Sequence, residues 1–531
     1  FCTEHLKTLT EEQDKALEKL FQVPISLLHG VTGSGKTEIF LHFISKIWQN
    51  NPQQQFLVLV PEISLTDQLV NYFQKVFPAS CSVMHSKITP QEKDLLWSKI
   101  ALGHPQIVIG ARSALFLPYQ NLAAIIMDEE HEWTYVSNQN PYYHGQWIAR
   151  HLIQKHPSCK LILASATPDF KDYYQARHQE IQLVELKKRV TNKPLPQIQI
   201  VDLKVEFQRQ NFSPLSLILQ EKIQKTLARQ EQVILFLNKR GFNRAWQCRK
   251  CGEFYSCPKC EIPFTYHFSP SQNFGKMICH HCGSVKTPPT RCPNCQDPNF
   301  QIKGFGTQKL ENELQNLFPQ ARIFRADRDT TSNKDHFSPI YETFKKGEGD
   351  ILIGTQMIAK GLDLEKVSLV GIISADDGLN MPDFRAGERV FQLLTQVAGR
   401  AGRHHTRGEV ILQTFNPHHP LFLSIQKNDY QGFYQSEMSI RQELNYPPFQ
   451  EVIKLVITGD SKENTYHSAQ NLCQSIQQKY PQLIIQCAPA WVPKRNNRYY
   501  WHLIIRGTNL SDFKIALPPQ VSLIRDPILW C

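Results

Sequence analysis

Short apolar runs recur through the first third of the chain, each followed by a polar or glycine turn and a stretch of helical period. Ser26–His29, Phe56–Val60, Ile107–Gly110, Ala123–Asp128 and Leu161–Ser165 are such runs. Strands that alternate with helices predict a parallel, doubly wound sheet. A proline-spaced linker with Pro194 and Pro196 follows. A second alternating series predicts strands at Val233–Leu237, Arg322–Arg325, Ile351–Gly354, Val367–Ile373 and Glu409–Thr414. A cysteine-rich stretch interrupts this series after its first strand. From about Leu421 the pattern changes, and Val452–Thr458, Leu483–Pro489 and Tyr499–Arg506 predict strands of a smaller α+β unit. There is no repeat of solenoid period and no low-complexity tract.

With 531 residues, 41% of them apolar, the chain can bury several cores, which excludes disorder as a description of the whole. No window approaches the roughly 18 uninterrupted apolar residues of a membrane span, so no membrane partner is expected. No signal peptide precedes Thr8, and the chain opens at Phe1 rather than Met, as a fragment or trimmed chain does. The net charge of +11 suits a polyanionic partner, though a basic balance alone is a weak signal. Eight of the 14 cysteines fall between Cys248 and Cys295. One tight cluster of paired cysteines reads as metal chelation in a reducing compartment, here the cytoplasm.

The segment Gly30-Val31-Thr32-Gly33-Ser34-Gly35-Lys36-Thr37 fits G-x-x-x-x-G-K-[ST], with an apolar strand before it and a helical pattern after it. Its glycines let backbone N–H groups converge on phosphate oxygens, Lys36 reaches the β- and γ-phosphates, and Thr37 ligates Mg²⁺. The apolar run 123–127 ends in Asp128-Glu129-Glu130-His131. Asp128 is placed to hold Mg²⁺, and Glu129 is the candidate to polarise the attacking water of ATP hydrolysis. Far downstream, Gln396-Val-Ala-Gly-Arg400-Ala-Gly-Arg403 offers two arginines three apart. Arg400 and Arg403 are candidates to stabilise charge on the γ-phosphate, which predicts a site in a cleft between two domains.

The clustered cysteines form four C-x-x-C pairs: Cys248/Cys251, Cys257/Cys260, Cys279/Cys282 and Cys292/Cys295. Each pair can present two thiolates to a tetrahedral Zn²⁺, so four pairs make two Cys₄ sites. Spacing leaves open a nested and a sequential pairing; His280 and His281 are read as bystanders. Ten basic against three acidic residues lie between Lys239 and Lys303. Eight thiolates and two zinc ions reduce that excess to about +3, mildly favourable to DNA contact. Near the C-terminus, Trp491, Lys494, Arg495, Arg498, Tyr499, Tyr500 and Trp501 interleave cations with aromatics, a pattern that suits phosphates and unpaired bases.

The phosphate loop, the Asp-Glu-Glu-His strand end and Q-x-x-G-R-x-G-R together resemble the superfamily 2 helicases. Further segments in order, at 57–66, 110–116, 165–168, 236–242, 327–331, 353–361 and 382–385, narrow the resemblance to the bacterial primosomal protein N′ (PriA) family of replication-restart helicases. It runs from about Leu9 to the C-terminus. It implies an α/β fold of two tandem RecA-like parallel-sheet lobes, with a zinc-binding insertion in the second lobe and a small α+β C-terminal domain. The expected boundaries are lobe 1 at 1–188, a linker and the start of lobe 2 at 189–247, the double zinc insertion at 248–298, the rest of lobe 2 at 299–420, and a DNA-binding domain at 421–531. It further implies an ATP- and Mg²⁺-dependent 3′→5′ DNA helicase that unwinds stalled forks and initiates primosome assembly. The implied partners are forked and single-stranded DNA, single-stranded-DNA-binding protein and other primosome proteins.

By the same resemblance Gln13 faces the adenine, Ser165-Ala-Thr167 couples hydrolysis to domain motion, and Gly361 and Asp363 lie near nucleotide and strand. The resemblance also favours nested zinc pairing: Cys248, Cys251, Cys292 and Cys295 at one ion, and Cys257, Cys260, Cys279 and Cys282 at the other. Two departures stand out. The family's N-terminal 3′-end-reading module and winged-helix domain are absent from this sequence. In the aromatic loop after the acidic motif, Val136 and Gln146 stand where the family carries Lys and Arg. The alternative function is a non-catalytic, zinc-dependent DNA-binding scaffold with ATP as a switch; Glu129, Arg400 and Arg403 argue against it. An RNA-directed motor is a third reading.

Overall fold

The computed structural model describes the chain except residues 1–2, 62–65, 85–87, 138–139, 192–193, 239–244, 259–262, 270–273, 280–283, 304–306, 327–336, 360–363, 382, 403–407, 496–497 and 528–531. The chain divides into two compact units, 1–195 with 360–362, and 196–359 with 363–531.

The first unit is built on a seven-stranded parallel sheet. Its spatial order is Cys81–Met84, Gln106–Gly110, Gln55–Leu59, Leu122–Asp128, Lys160–Ser165, Ile25–Gly30 and Gln182–Leu186. The central strands are apolar over most of their length because helices cover both faces, and Phe40, Phe43, Phe56, Phe73 and Phe77 fill the core on one of them. All five apolar runs read from this part of the sequence are strands. The two edge strands, Cys81–Met84 and Gln182–Leu186, were not anticipated; both are half-exposed and mixed in character.

The second unit carries a six-stranded parallel sheet in the order Ile323–Ala326, Ile351–Gly354, Gln232–Phe236, Val367–Ile372, Glu409–Thr414 and Gln197–Asp202. The last of these follows the proline-spaced segment directly and pairs with Glu409–Thr414. Between Gln232–Phe236 and the helix Thr307–Leu317 lies an antiparallel five-stranded sheet; Cys248 ends its strand Ala245–Cys248, and the other described cysteines of the cluster lie between strands. Its described core is small: Cys257, Phe264, Met277 and Cys279, with Trp246, Tyr255 and Trp491 against it. The C-terminal part is a four-stranded antiparallel sheet, Ile484–Arg495, Arg498–Gly507, Glu451–Gly459 and Val521–Arg525, with the helix Lys462–Lys479 on one face.

Candidate nucleotide site and cysteine cluster

The phosphate loop leaves the strand Ile25–Gly30 and enters the helix Lys36–Asn50. Gly33 (φ +83°) and Gly35 (φ +77°) occupy the left-handed region that glycine adopts without strain. A Cβ on Gly35 would lie 2.4 Å from Gln13 Nε2 and 2.8 Å from Val190 Cγ2. The buried Ser34 hydroxyl has no hydrogen-bond partner among the described residues. Lys36 Nζ donates to Gly30 O at 3.2 Å. Left-handed glycines, a lysine over the loop, an unpaired hydroxyl and a helix N-terminus together fit a phosphate chain.

Gln13 is held against this loop. Its Oε1 accepts from Thr10 N at 2.9 Å, closing a capping box, and its Nε2 donates to Ser34 O at 2.9 Å. The opposite flank of the loop is braced by residues that sequence reasoning missed. Val31 N donates to Leu186 O and Val190 N to Gly33 O, while Arg189 Nε donates to Thr32 O at 3.1 Å. Glu12 accepts from the backbone N–H groups of Lys187 and Lys188. More than 150 residues separate these partners, so no local pattern announces them.

The acidic motif ends the strand Leu122–Asp128, two strands away from the loop's own strand. The strand between them ends in Ser165, which pairs with His29. Ligands of open parallel sheets bind at such carboxyl ends. Glu129 has φ +48°, a conformation costly for a residue with a Cβ and common at functional sites. His131 Nδ1 lies 2.7 Å from Ser165 Oγ, which accepts from Thr167 N at 2.9 Å, so the acidic motif and the Ser-Ala-Thr segment are directly joined. Burial lifts the Asp128 carboxyl to about 7, Glu129 adds to the rise, and Lys36 opposes it. Burial and then Asp172 push Glu130 well above the usual carboxylate range. A dication beside Asp128 and Glu129 would relieve the first of these penalties, which the donor set Thr37 and Asp128 allows.

Arg400 follows the helix Ala386–Ala398 in the second unit and is buried. Arg403, Gly361 and Asp363 lie outside the described residues, as do Cys260, Cys282, His280 and His281.

Four thiols converge. Cys248, Cys251, Cys292 and Cys295 place their sulfurs within 4.8 Å of one another, with Cys248···Cys295 at 3.5 Å and Cys251···Cys292 at 3.7 Å. Zn–S bonds of 2.3 Å in a tetrahedron require sulfurs about 3.8 Å apart, so the set fits zinc. These four are the outer set of the nested grouping. The two pairs share one knuckle: Cys248 N donates to Glu253 O, and Cys292 N to Asp297 O, each five residues on, with Gly252 and Gln296 at positive φ. Cys279 N donates to Ser284 O in the same five-residue pattern, and Cys257 and Cys279 share the small core.

The C-terminal strip serves two purposes. Trp491 packs against the core of the insertion, and Trp501 is buried beside Tyr466. Lys494, over the Tyr499 ring at 5.2 Å, and Arg498 are exposed. In the loop after the acidic motif, Tyr135 is buried and donates to Asp128 O, whereas Tyr142 is exposed and Tyr143 stacks edge-on with Phe116 beneath Arg112.

Two RecA-like parallel sheets, the first with a phosphate loop and an acidic strand end and the second with the Q-x-x-G-R segment, have the architecture of the helicase domain class. Matching families agree: DEAD/DEAH box helicase over residues 10–176, helicase conserved C-terminal domain over 305–405, and primosomal protein N C-terminal domain over 442–524. The chain belongs to the replication restart protein PriA family. It is 44% identical to the Bacillus subtilis member over 85% of this chain and 57% of the relative. It is 40% identical to the Synechocystis member (93% of this chain, 59% of the relative), and 39% identical to that of Haemophilus influenzae (97% and 70%). The chain thus spans less than two thirds of the length of the first two. Among solved structures, the helicase MrfA bound to DNA shares the fold, with a TM-score of 0.50 at 12% identity over 94% of this chain and 62% of that one.

Proposed function

We propose that this chain is an ATP-dependent DNA helicase that translocates 3′→5′, unwinds DNA at stalled replication forks and starts primosome assembly. The observation that carries the reading is the alignment of the phosphate loop, Ser165 and Asp128-Glu129 along adjacent strand ends of one sheet, in a chain of this family.

In this reading the loop amides and Lys36 bind the triphosphate, and Gln13 faces the adenine while bracing the loop. Thr37 and Asp128 would hold Mg²⁺, which would neutralise charge on the bound triphosphate. Glu129 orients a water for in-line attack on the γ-phosphorus and takes its proton as the bond to the β–γ bridging oxygen breaks. Arg400 and Arg403 stabilise the charge that develops on the γ-phosphoryl oxygens. The His131–Ser165–Thr167 contact carries the loss of that phosphate to the next strand end. The outer cysteine set holds one zinc, and Cys257, Cys260, Cys279 and Cys282 hold a second. Lys494, Arg495 and Arg498 contact phosphates, with Tyr142 and Tyr143 as stacking candidates in the first unit. Replication partners dock during fork restart, in the cytoplasm.

The test is steady-state ATPase activity with and without single-stranded DNA. Strong stimulation is expected, with Lys36→Ala lowering the rate by on the order of 100-fold or more. A wild-type chain that turns over no ATP with any nucleic acid refutes the reading and leaves the scaffold alternative, in which Glu129→Gln has no effect.

A further inference from the structure

The helix that ends at Arg400 carries a row of polar side chains longer than the nucleotide chemistry uses. Glu388, Gln392, Gln396 and Arg400 are four apart, so they line one side of the helix and its continuation. All four are buried, at 2%, 6%, 5% and 7% exposure. Polar groups in such positions cost stability unless they are paired, and apolar residues of similar volume often serve at least as well.

The row is anchored at its far end. Glu388 Oε1 accepts from Gln392 Nε2 at 3.4 Å, and Glu388 Oε2 accepts from Arg441 Nη2 at 2.7 Å. Arg441, on the helix Tyr430–Glu443, is itself 3% exposed at its side chain, lies 3.5 Å from Glu437 and sits over the Phe384 ring. Phe391 stacks on Phe433 at 4.6 Å and 11°, locking the same two helices. Just before the first turn, Arg385 donates to Asp526 Oδ1 and Pro527 O at 2.6 Å each. The start of the helix is therefore gripped by segments 53 and 141 residues further along the chain.

We propose that Glu388, Gln392 and Arg441 are positioning residues for Arg400: the buried ion pair fixes the rotation of this helix about its own axis, and with it the direction in which Arg400 points. The inference rests on the assignment of Arg400 to the triphosphate made above. The magnitude is sufficient. A roll of about 10° moves a side-chain tip at the ~6 Å radius of a helix by ~1 Å. Misplacing a reacting group by about 1 Å costs on the order of 100-fold in rate. A buried pair has discrete geometry and cannot follow such a roll continuously, which is what a register device needs.

The test is ATPase kinetics of the full chain at saturating single-stranded DNA. Glu388→Gln keeps shape and removes charge; Gln392→Met keeps length and removes the donor. Each should lower kcat about tenfold while KM for ATP stays within about threefold, and neither should lower kcat further in an Arg400→Ala background. Losses that multiply with that of Arg400→Ala, or single variants with wild-type kcat, overturn the proposal. If Glu388→Gln does not fold by circular dichroism, Arg441→Lys, which keeps the charge and changes the reach of the pair, decides in its place by the same split of kcat and KM. An Arg400→Ala chain with undiminished kcat overturns the assignment of Arg400, and the positioning role with it.

Discussion

A methyl group on Gly33 and one on Gly35 would cost different amounts. Both glycines have left-handed backbones, so alanine at either pays about 1–2 kcal/mol in strain. At Gly33 the new Cβ meets Arg189 at an ordinary 3.7 Å, whereas at Gly35 it collides with Gln13 and Val190. Gly35→Ala should therefore lower the unfolding midpoint of the nucleotide-free chain clearly more than Gly33→Ala, as calorimetry can measure. His29, one residue before the end of the strand that leads into the loop, faces Tyr173 edge-on at 5.7 Å. Burial holds its imidazole at about 4, below the usual 6.5. The unfolded chain then binds the proton more readily between those values, so stability falls as pH drops from about 6.5 to 4, by up to about 3 kcal/mol, and is level below. His29→Gln should flatten that part of the acid dependence relative to wild type. An unchanged pH profile would show that His29 is solvated.

At the scale of elements, the insertion has little apolar core to hold it: two of its four buried described core residues are cysteines. Under the proposed zinc sites, the metal supplies the folding free energy that packing does not. Cys251→Ser should remove one zinc per chain, measured by metal release, and change the near-ultraviolet signal of Trp246 and Trp491, while nucleotide binding to the first unit persists. Full zinc retention would place the ion elsewhere. The cysteine pairs were legible because thiolate spacing is local chemistry; whether they nest or run in sequence was not, because spacing alone permits both. The same distinction runs through the fold. Leu122–Asp128 and Gln55–Leu59 announce themselves because a central parallel strand is apolar on both faces. Gln197–Asp202 and Val521–Arg525 did not, because edge strands keep polar and half-exposed positions. The phosphate loop was legible as a motif, but its braces at Glu12, Gln13 and Arg189, and the Glu388–Arg441 anchor, are long-range contacts that only folding brings together.

At the scale of the whole molecule, the first unit holds the phosphate loop and acidic strand end, and the second holds Arg400 and both cysteine sets. Under the proposed reading each unit carries part of the hydrolytic set, Lys36, Asp128 and Glu129 in the first and Arg400 in the second. The central claim is that hydrolysis is converted into movement along a strand. Strand displacement from partial duplexes, one with a 3′ and one with a 5′ single-stranded tail, tests it most directly. The account predicts ATP-dependent displacement from the 3′-tailed duplex, little from the 5′-tailed one, and none with Lys36→Ala. Displacement that survives Lys36→Ala or needs no ATP, or no displacement from either duplex, would contradict it.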